Sequence, residues 1–261
     1  MIQTIQPIPA FADNYIWIIT EAGSNKACVV DPGDATPVIE YLEAQQLELS
    51  DILITHHHAD HTGGVQELKD KYSPRVIGPT TSNIQGITQA VSQGSQVELF
   101  EQNFEVIEVP GHTLDHIAFF CSETENSLPV LFCGDTLFAA GCGRLFEGSP
   151  AMMHESLAKL TSLAHNTRVF CTHEYTMANL NFAIAVDSDN ELLKKRIIEE
   201  QAKRDRNQPT LPSSIELELA TNPFLRCTDS KLISSAHDQL GRNPENEVEV
   251  FSALRSHKDN F

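Results

Sequence analysis

Short apolar runs separated by turn-forming residues fill the first half of the chain, and that pattern predicts strands. YIWII (15–19) and ACVV (27–30) flank a Gly-Ser-Asn turn and predict a hairpin. Residues 35–46 predict a helix with Pro37 in its first turn. ILIT (52–55) predicts a buried strand, and 65–72 a short helix. Further strands are expected at 76–78, 96–100, 104–109, 118–121 and 130–133. A helix is expected at 152–164, ahead of a strand at 168–171.

Beyond His173 the pattern changes. Strand signals almost vanish, and 175–186, 191–206 and 247–257 read as helices. Pro209, Pro212 and Pro223 punctuate the loops between them. A mixed α/β domain at 1–174 followed by a helical domain at 175–261 is therefore expected. No fixed-period repeat or low-complexity segment interrupts this organisation.

Composition narrows the possible roles. The 261 residues are 41% hydrophobic and 21% charged, as expected of an ordinary globular protein. The formal net charge of −18 argues against general nucleic-acid binding, which needs a cationic surface. It also repels anionic ligands unless a local positive site overrides the global field. Cys28, Cys121, Cys133, Cys142, Cys171 and Cys227 form no Cys-x-x-Cys pair and read as reduced, mostly buried thiols. The first residues lack a basic and then apolar leader, and no apolar run reaches membrane-spanning length. A cytoplasmic, membrane-independent monomer is the expectation.

The chemistry concentrates in THHHADHTGG (55–64), where His56, His58, Asp60 and His61 offer three imidazoles and a carboxylate. Those are the usual ligands of zinc and similar ions. Three more apolar runs each end just before such a group: His112 in PGHT, Asp135 in GDT and His173 in THE. One histidine after a strand is more often a satisfied core residue than a ligand, and a lone Asp135 would more often cap a helix. Seven such residues in this pattern are not explained by solvation.

One catalytic zinc needs about three protein ligands and a water. Seven ligands fit two metals: His56, His58 and His112 on the first, Asp60, His61 and His173 on the second, with Asp135 bridging. Asp60, His61 and Asp135 are taken as the catalytic members. His57 and His116 read as supporting residues rather than ligands. Two close metals can hold a shared water, lower its pKa and so supply a hydroxide nucleophile. Cys133 and Cys171 lie within apolar strands and read as core.

The series THHHADH, GHT, GDT and CTHEYT resembles the metallo-β-lactamase superfamily. Within it, the chain resembles the glyoxalase II (hydroxyacylglutathione hydrolase) family through FADNY (11–15), VDPGD (30–34), FAAGCGR (138–144), HEYT (173–176), NPFLR (222–226) and RSHKDNF (255–261). The resemblance implies a four-layer αββα sandwich with a C-terminal α-helical substrate-binding domain. It implies hydrolysis of a small-molecule glutathione thioester, S-D-lactoylglutathione, at two divalent ions, usually zinc but permissive for iron or manganese. It also implies glutathione contacts at Arg144, Tyr175, Arg255 and Lys258. Arg255 and Lys258 are spaced i, i+3, which a helix would place on one face. Phe146 departs from the family's frequent tyrosine and removes a hydroxyl, worth about 1 kcal/mol as a hydrogen bond.

An iron-dependent persulfide dioxygenase of the same superfamily is the alternative expectation. A two-metal tRNA-processing nuclease is disfavoured by the −18 charge. A closed structural zinc site would be four-coordinate and often thiolate-rich, unlike this set.

Overall fold

The computed structural model describes residues 2–122 and 128–261. Its chain divides into two compact units, Met1–Glu108 with Asp115–Gly134, and Val109–Leu114 with Asp135–Phe261.

The first unit opens with strands β1 (Ile2–Ala10), β2 (Asn14–Glu21) and β3 (Lys26–Val30). Helix α1 (Ala35–Gln45) follows, then β4 (Glu48–Leu53), the one-turn α2 (Ala59–Thr62) and α3 (Val65–Tyr72). Strands β5 (Arg75–Pro79) and β6 (Gln89–Val91) complete a six-stranded sheet in the order β1-β2-β3-β4-β5-β6. Antiparallel pairing of β1–β2 and β2–β3 gives way to parallel pairing from β3 to β6. Strands β7 (Gln96–Leu99), β8 (Gln102–Glu108), β9 (Ile117–Cys121) and β10 (Val130–Gly134) form an antiparallel run.

The hairpin expected at 15–30 is present as β2 and β3. Ile16 and Ile18 join Val38, Leu42 and Leu68 in a core that packs α1 and α3 on one sheet face. Trp17 and Ile19, which alternate with them, are also buried, so β2 is covered on both faces. Asp34 caps α1 by accepting from the Thr36 amide at 2.9 Å. The pattern did not predict β1, whose Pro7 and Pro9 weaken a strand reading. As the first strand in the sheet order it tolerates them.

In the second unit a small hairpin, β11 (Leu137–Phe138) with β12 (Gly141–Cys142), precedes helix α4 (Pro150–Thr161). Strand β13 (Arg168–Cys171) follows, then α5 (Thr176–Val186) and α6 (Glu191–Arg204). Strand β14 (Ser213–Ser214), which pairs with β13, leads into α7 (Ile215–Thr221), α8 (Ser230–Leu240) and α9 (Glu247–Asp259). The helix expected at 152–164 begins two residues earlier, where Ser149 caps it and Pro150 takes the first position.

Helices α7 and α8 were not predicted. IELELAT alternates like a strand, yet Ile215, Glu218 and Thr221 are the buried positions, spaced as one helical face. Glu218 is fully buried against Arg196 at 2.6 Å. Its other oxygen accepts from the Ala140 amide at 2.8 Å and from Asn222 at 3.0 Å. Asn222 also donates to the carbonyls of Phe138 at 3.2 Å and Gly141 at 2.9 Å. The β11–β12 hairpin is therefore held by a buried charged network on α6 and α7. All six cysteines are buried, and none is joined in a disulfide among the described residues. Among the described residues no helix is long and apolar enough to cross a membrane.

Candidate metal centre

The ligand-capable residues sit just past strand ends, as the sequence pattern implied. His56 lies three residues beyond β4, Asp135 directly follows β10 and His173 follows β13 by two. His112 lies four residues past the end of β8. Each of the seven offers a nitrogen or oxygen atom of the kind that holds a metal ion.

In the first unit the imidazoles are clustered and individually oriented. The His56 ring lies 4.7 Å from that of His58 and 4.1 Å from that of His61. Buried Asp31 organises them. One of its oxygens accepts from the Thr55 amide at 2.8 Å, and the other from the Thr55 hydroxyl at 2.7 Å. The second oxygen also meets His61 Nδ1 at 3.0 Å. Because the Thr55 hydroxyl donates to Asp31, its oxygen faces His56 Nδ1, 3.1 Å away, as an acceptor. These partners assign the proton of both rings to Nδ1 and leave Nε2 as the lone-pair nitrogen.

The second unit reaches the same tautomer by a different route. His112 Nδ1 meets the Arg144 carbonyl at 2.8 Å, which again leaves Nε2 with the lone pair. The approach depends on Gly143, where a Cβ would lie 1.9 Å from the Asp135 carbonyl oxygen and 3.1 Å from His112 Nδ1. The His173 ring stacks on Tyr175 with centroids 4.6 Å apart and planes 5° apart, while Phe138 meets it edge-on.

The donor set fits a metal on electrostatic grounds. Asp135 Oδ2 lies 3.5 Å from His112 Nε2 and 3.3 Å from His173 Nε2. Asp60 Oδ2 lies 3.5 Å from His61 Nε2. A carboxylate oxygen facing a lone-pair nitrogen, as Asp135 faces His112 and Asp60 faces His61, repels it unless a cation sits with them. Protonating every ring would instead crowd imidazolium charges into rings as close as 4.1 Å. His and Asp clusters of this kind are able to hold divalent metal.

Sequence reasoning missed the orienting groups. Asp31 belongs to VDPGD, and Asn14, in FADNY, donates to Asp60 Oδ2 at 3.1 Å. Both motifs carried the family resemblance, but neither residue had been given a role. His57 is 39% exposed and pairs with Asp115 at 2.9 Å, and His116 stacks on His56 with centroids 4.5 Å apart.

The four residues expected to touch glutathione fall into two situations. Arg144 is exposed, and its Nε lies 3.3 Å from Asp259 Oδ1. Tyr175 is partly exposed beside His173. Arg255 is buried: it donates to the Cys142 carbonyl at 2.9 Å and to Asp259 Oδ1 at 2.9 Å, with its guanidinium over Phe224. Lys258, on the same helix, donates to the Ala178 carbonyl at 3.1 Å. Phe146 is 62% exposed, and its ring meets His112 edge-on at 5.3 Å.

Residues 11–173 match the Metallo-beta-lactamase superfamily, and residues 174–261 match the family described as Hydroxyacylglutathione hydrolase C-terminus. A hydroxyacylglutathione hydrolase from Pseudomonas paraeruginosa is 52% identical over 262 residues, covering all of both chains. One from Chromohalobacter salexigens is 49% identical and covers 99% of each. Among solved structures, ETHE1 from Myxococcus xanthus superimposes with a TM-score of 0.66 at 20% identity, covering 98% of each chain. At that identity the likeness concerns the fold alone.

Proposed function

The chain belongs to the hydroxyacylglutathione hydrolase family of the metallo-β-lactamase superfamily, and from this we propose that it hydrolyses S-D-lactoylglutathione to glutathione and D-lactate. Its fold is the metallo-β-lactamase fold, mixed α/β sheets followed by a C-terminal helical region. The observation that carries the reading is the full-length likeness to hydroxyacylglutathione hydrolases, which extends through the helical C-terminus. That C-terminal match favours a thioester hydrolase over the persulfide dioxygenase. The proposed division of labour gives 1–174 the metal ligands and 175–261 the greater part of substrate binding.

In this reading His56, His58 and His112 would hold one divalent ion, and Asp60, His61 and His173 a second, with Asp135 shared. Zinc is the first expectation, with iron or manganese compatible with the same nitrogen and oxygen donors. Two such ions, when bound, supply Lewis acidity and water acidified towards neutral pH. The chain's own residues supply orientation. Asp31 and Thr55 fix the tautomers of His61 and His56, and the Arg144 carbonyl fixes that of His112. Asn14 restrains Asp60 by a hydrogen bond of 3.1 Å. Arg144, Arg255 and Lys258 supply the local positive charge that a thioester with two carboxylates needs in a chain of net charge −18. A cytoplasmic monomer acting on this small molecule completes the proposal.

The test is the loss of thioester absorbance from S-D-lactoylglutathione with the purified protein, with metal content measured on the same sample. Rapid hydrolysis with close to two ions per chain supports the reading. No hydrolysis at full metal loading overturns it.

A further inference from the structure

The last turn of α9 gathers three cations near one carboxylate. Asp259 Oδ1 receives Arg255 Nη2 at 2.9 Å and lies 3.3 Å from Arg144 Nε. Arg255 is 6% exposed, and its Nη1 is committed to the Cys142 carbonyl. Lys258 is half-buried against Phe182 and Phe261. Desolvation, and then the neighbouring Arg255 charge, lowers its proton affinity. The cluster is therefore over-supplied with positive charge, and Asp259 is the internal anion that meets both guanidinium groups.

We propose that Asp259 is an intramolecular competitor for the anionic substrate: it occupies guanidinium edges of Arg144 and Arg255 that an incoming carboxylate would take, and so sets the affinity of this end of the site. The identity of the incoming anion rests on the thioester-hydrolase reading. The physical case rests on the shared contact. A guanidinium offers a limited fork of donors, and a carboxylate already on it must move aside or share before another can bind. A second carboxylate approaching Asp259 also meets like-charge repulsion in a partly desolvated setting. Arg144 is the side chain free to turn, being 59% exposed, whereas Arg255 is fixed by Cys142 and Phe224.

Asp259→Asn separates this role from a structural one, because the amide keeps an acceptor for Arg255 and removes only the charge. The probes are S-methylglutathione, which has no thioester to cleave, and its diethyl ester, which lacks both carboxylates. With the metal-loaded full chain, D259N should bind S-methylglutathione about five- to tenfold more tightly by calorimetry. It should lower KM for the thioester by a similar factor, and binding of the diethyl ester should not change. Asp259→Ser should behave alike, and melting curves verify that both variants are folded. Unchanged or weaker binding of S-methylglutathione by folded D259N overturns the competitor role, as does an equal gain for the diethyl ester. Failure of the wild-type protein to bind S-methylglutathione or cleave the thioester would count instead against the functional reading.

Discussion

His61 and His112 reach the same tautomer by different means. His61 is held by a side chain, the Asp31 carboxylate, itself fixed by two donors from Thr55. His112 is held by a backbone carbonyl, that of Arg144. A side-chain anchor is local and can be altered by one substitution. A backbone anchor is only as firm as the loop that carries it. That loop is supported at a distance, by Glu218 and Asn222 on the β11–β12 hairpin and by Arg255 on Cys142. The helices thus help to hold the loop that orients His112.

The most severe way to break the backbone arm is Gly143→Ala. The added Cβ would sit 1.9 Å from the Asp135 carbonyl oxygen, so the loop must shift. A displacement of about 1 Å in such a site costs roughly a hundredfold in rate, and kcat/KM should fall by at least that much. Next is the side-chain arm. Asp31→Asn keeps the shape and removes the charge, and should lower metal affinity or activity about ten- to hundredfold. Metal titration of the apo-protein checks it, and unchanged affinity would remove Asp31 from the orienting role.

Glu218→Gln acts on the backbone arm from afar. It leaves Arg196, 2% exposed, without its counter-charge and should cost about 3 kcal/mol of stability in denaturant unfolding. The same substitution should loosen metal binding at the His112 arm, whereas Asp31→Asn, whose amide nitrogen must face a donor of Thr55 or His61, should cost less, about 1 kcal/mol. Equal stability losses from the two would erase the proposed difference between the arms.

The smallest effect concerns the thiols. Burial, with a smaller contribution from Cys142, raises Cys227 to about 12. Burial also raises Cys142 and Cys28. Below pH 9 these groups stay protonated, and the associated stability is lost as pH rises from about 9 towards 12. A thiol reagent at pH 8 should therefore label the native chain very little and all six cysteines after unfolding.

Much of this was legible in the sequence. The candidate ligands stand out because histidines and aspartates at strand ends are chemically unusual wherever the strands are plain. Helix α3 and strand β13 match the predicted spans, 65–72 and 168–171. The orienting partners could not be read the same way. Asp31 serves a histidine thirty positions away, and the Arg144 carbonyl has no letter of its own. Glu218 stands in an alternating run whose letters do not show that Arg196, Asn222 and the Ala140 amide meet it. Helix α8 was hidden by its serines, although Asp229 and Gly241 mark its two ends as caps.

The prolines of β1 have one more consequence. An exposed sheet margin is a template on which a second polypeptide can add, and long, flat margins seed aggregation. Pro7 and Pro9 are two residues apart and so share a side of the strand. Each lacks an amide hydrogen, so neither can donate to a neighbour laid along that margin. The feature that weakens β1 as a recognisable strand thus also makes its outer side a poor edge for another strand to pair with.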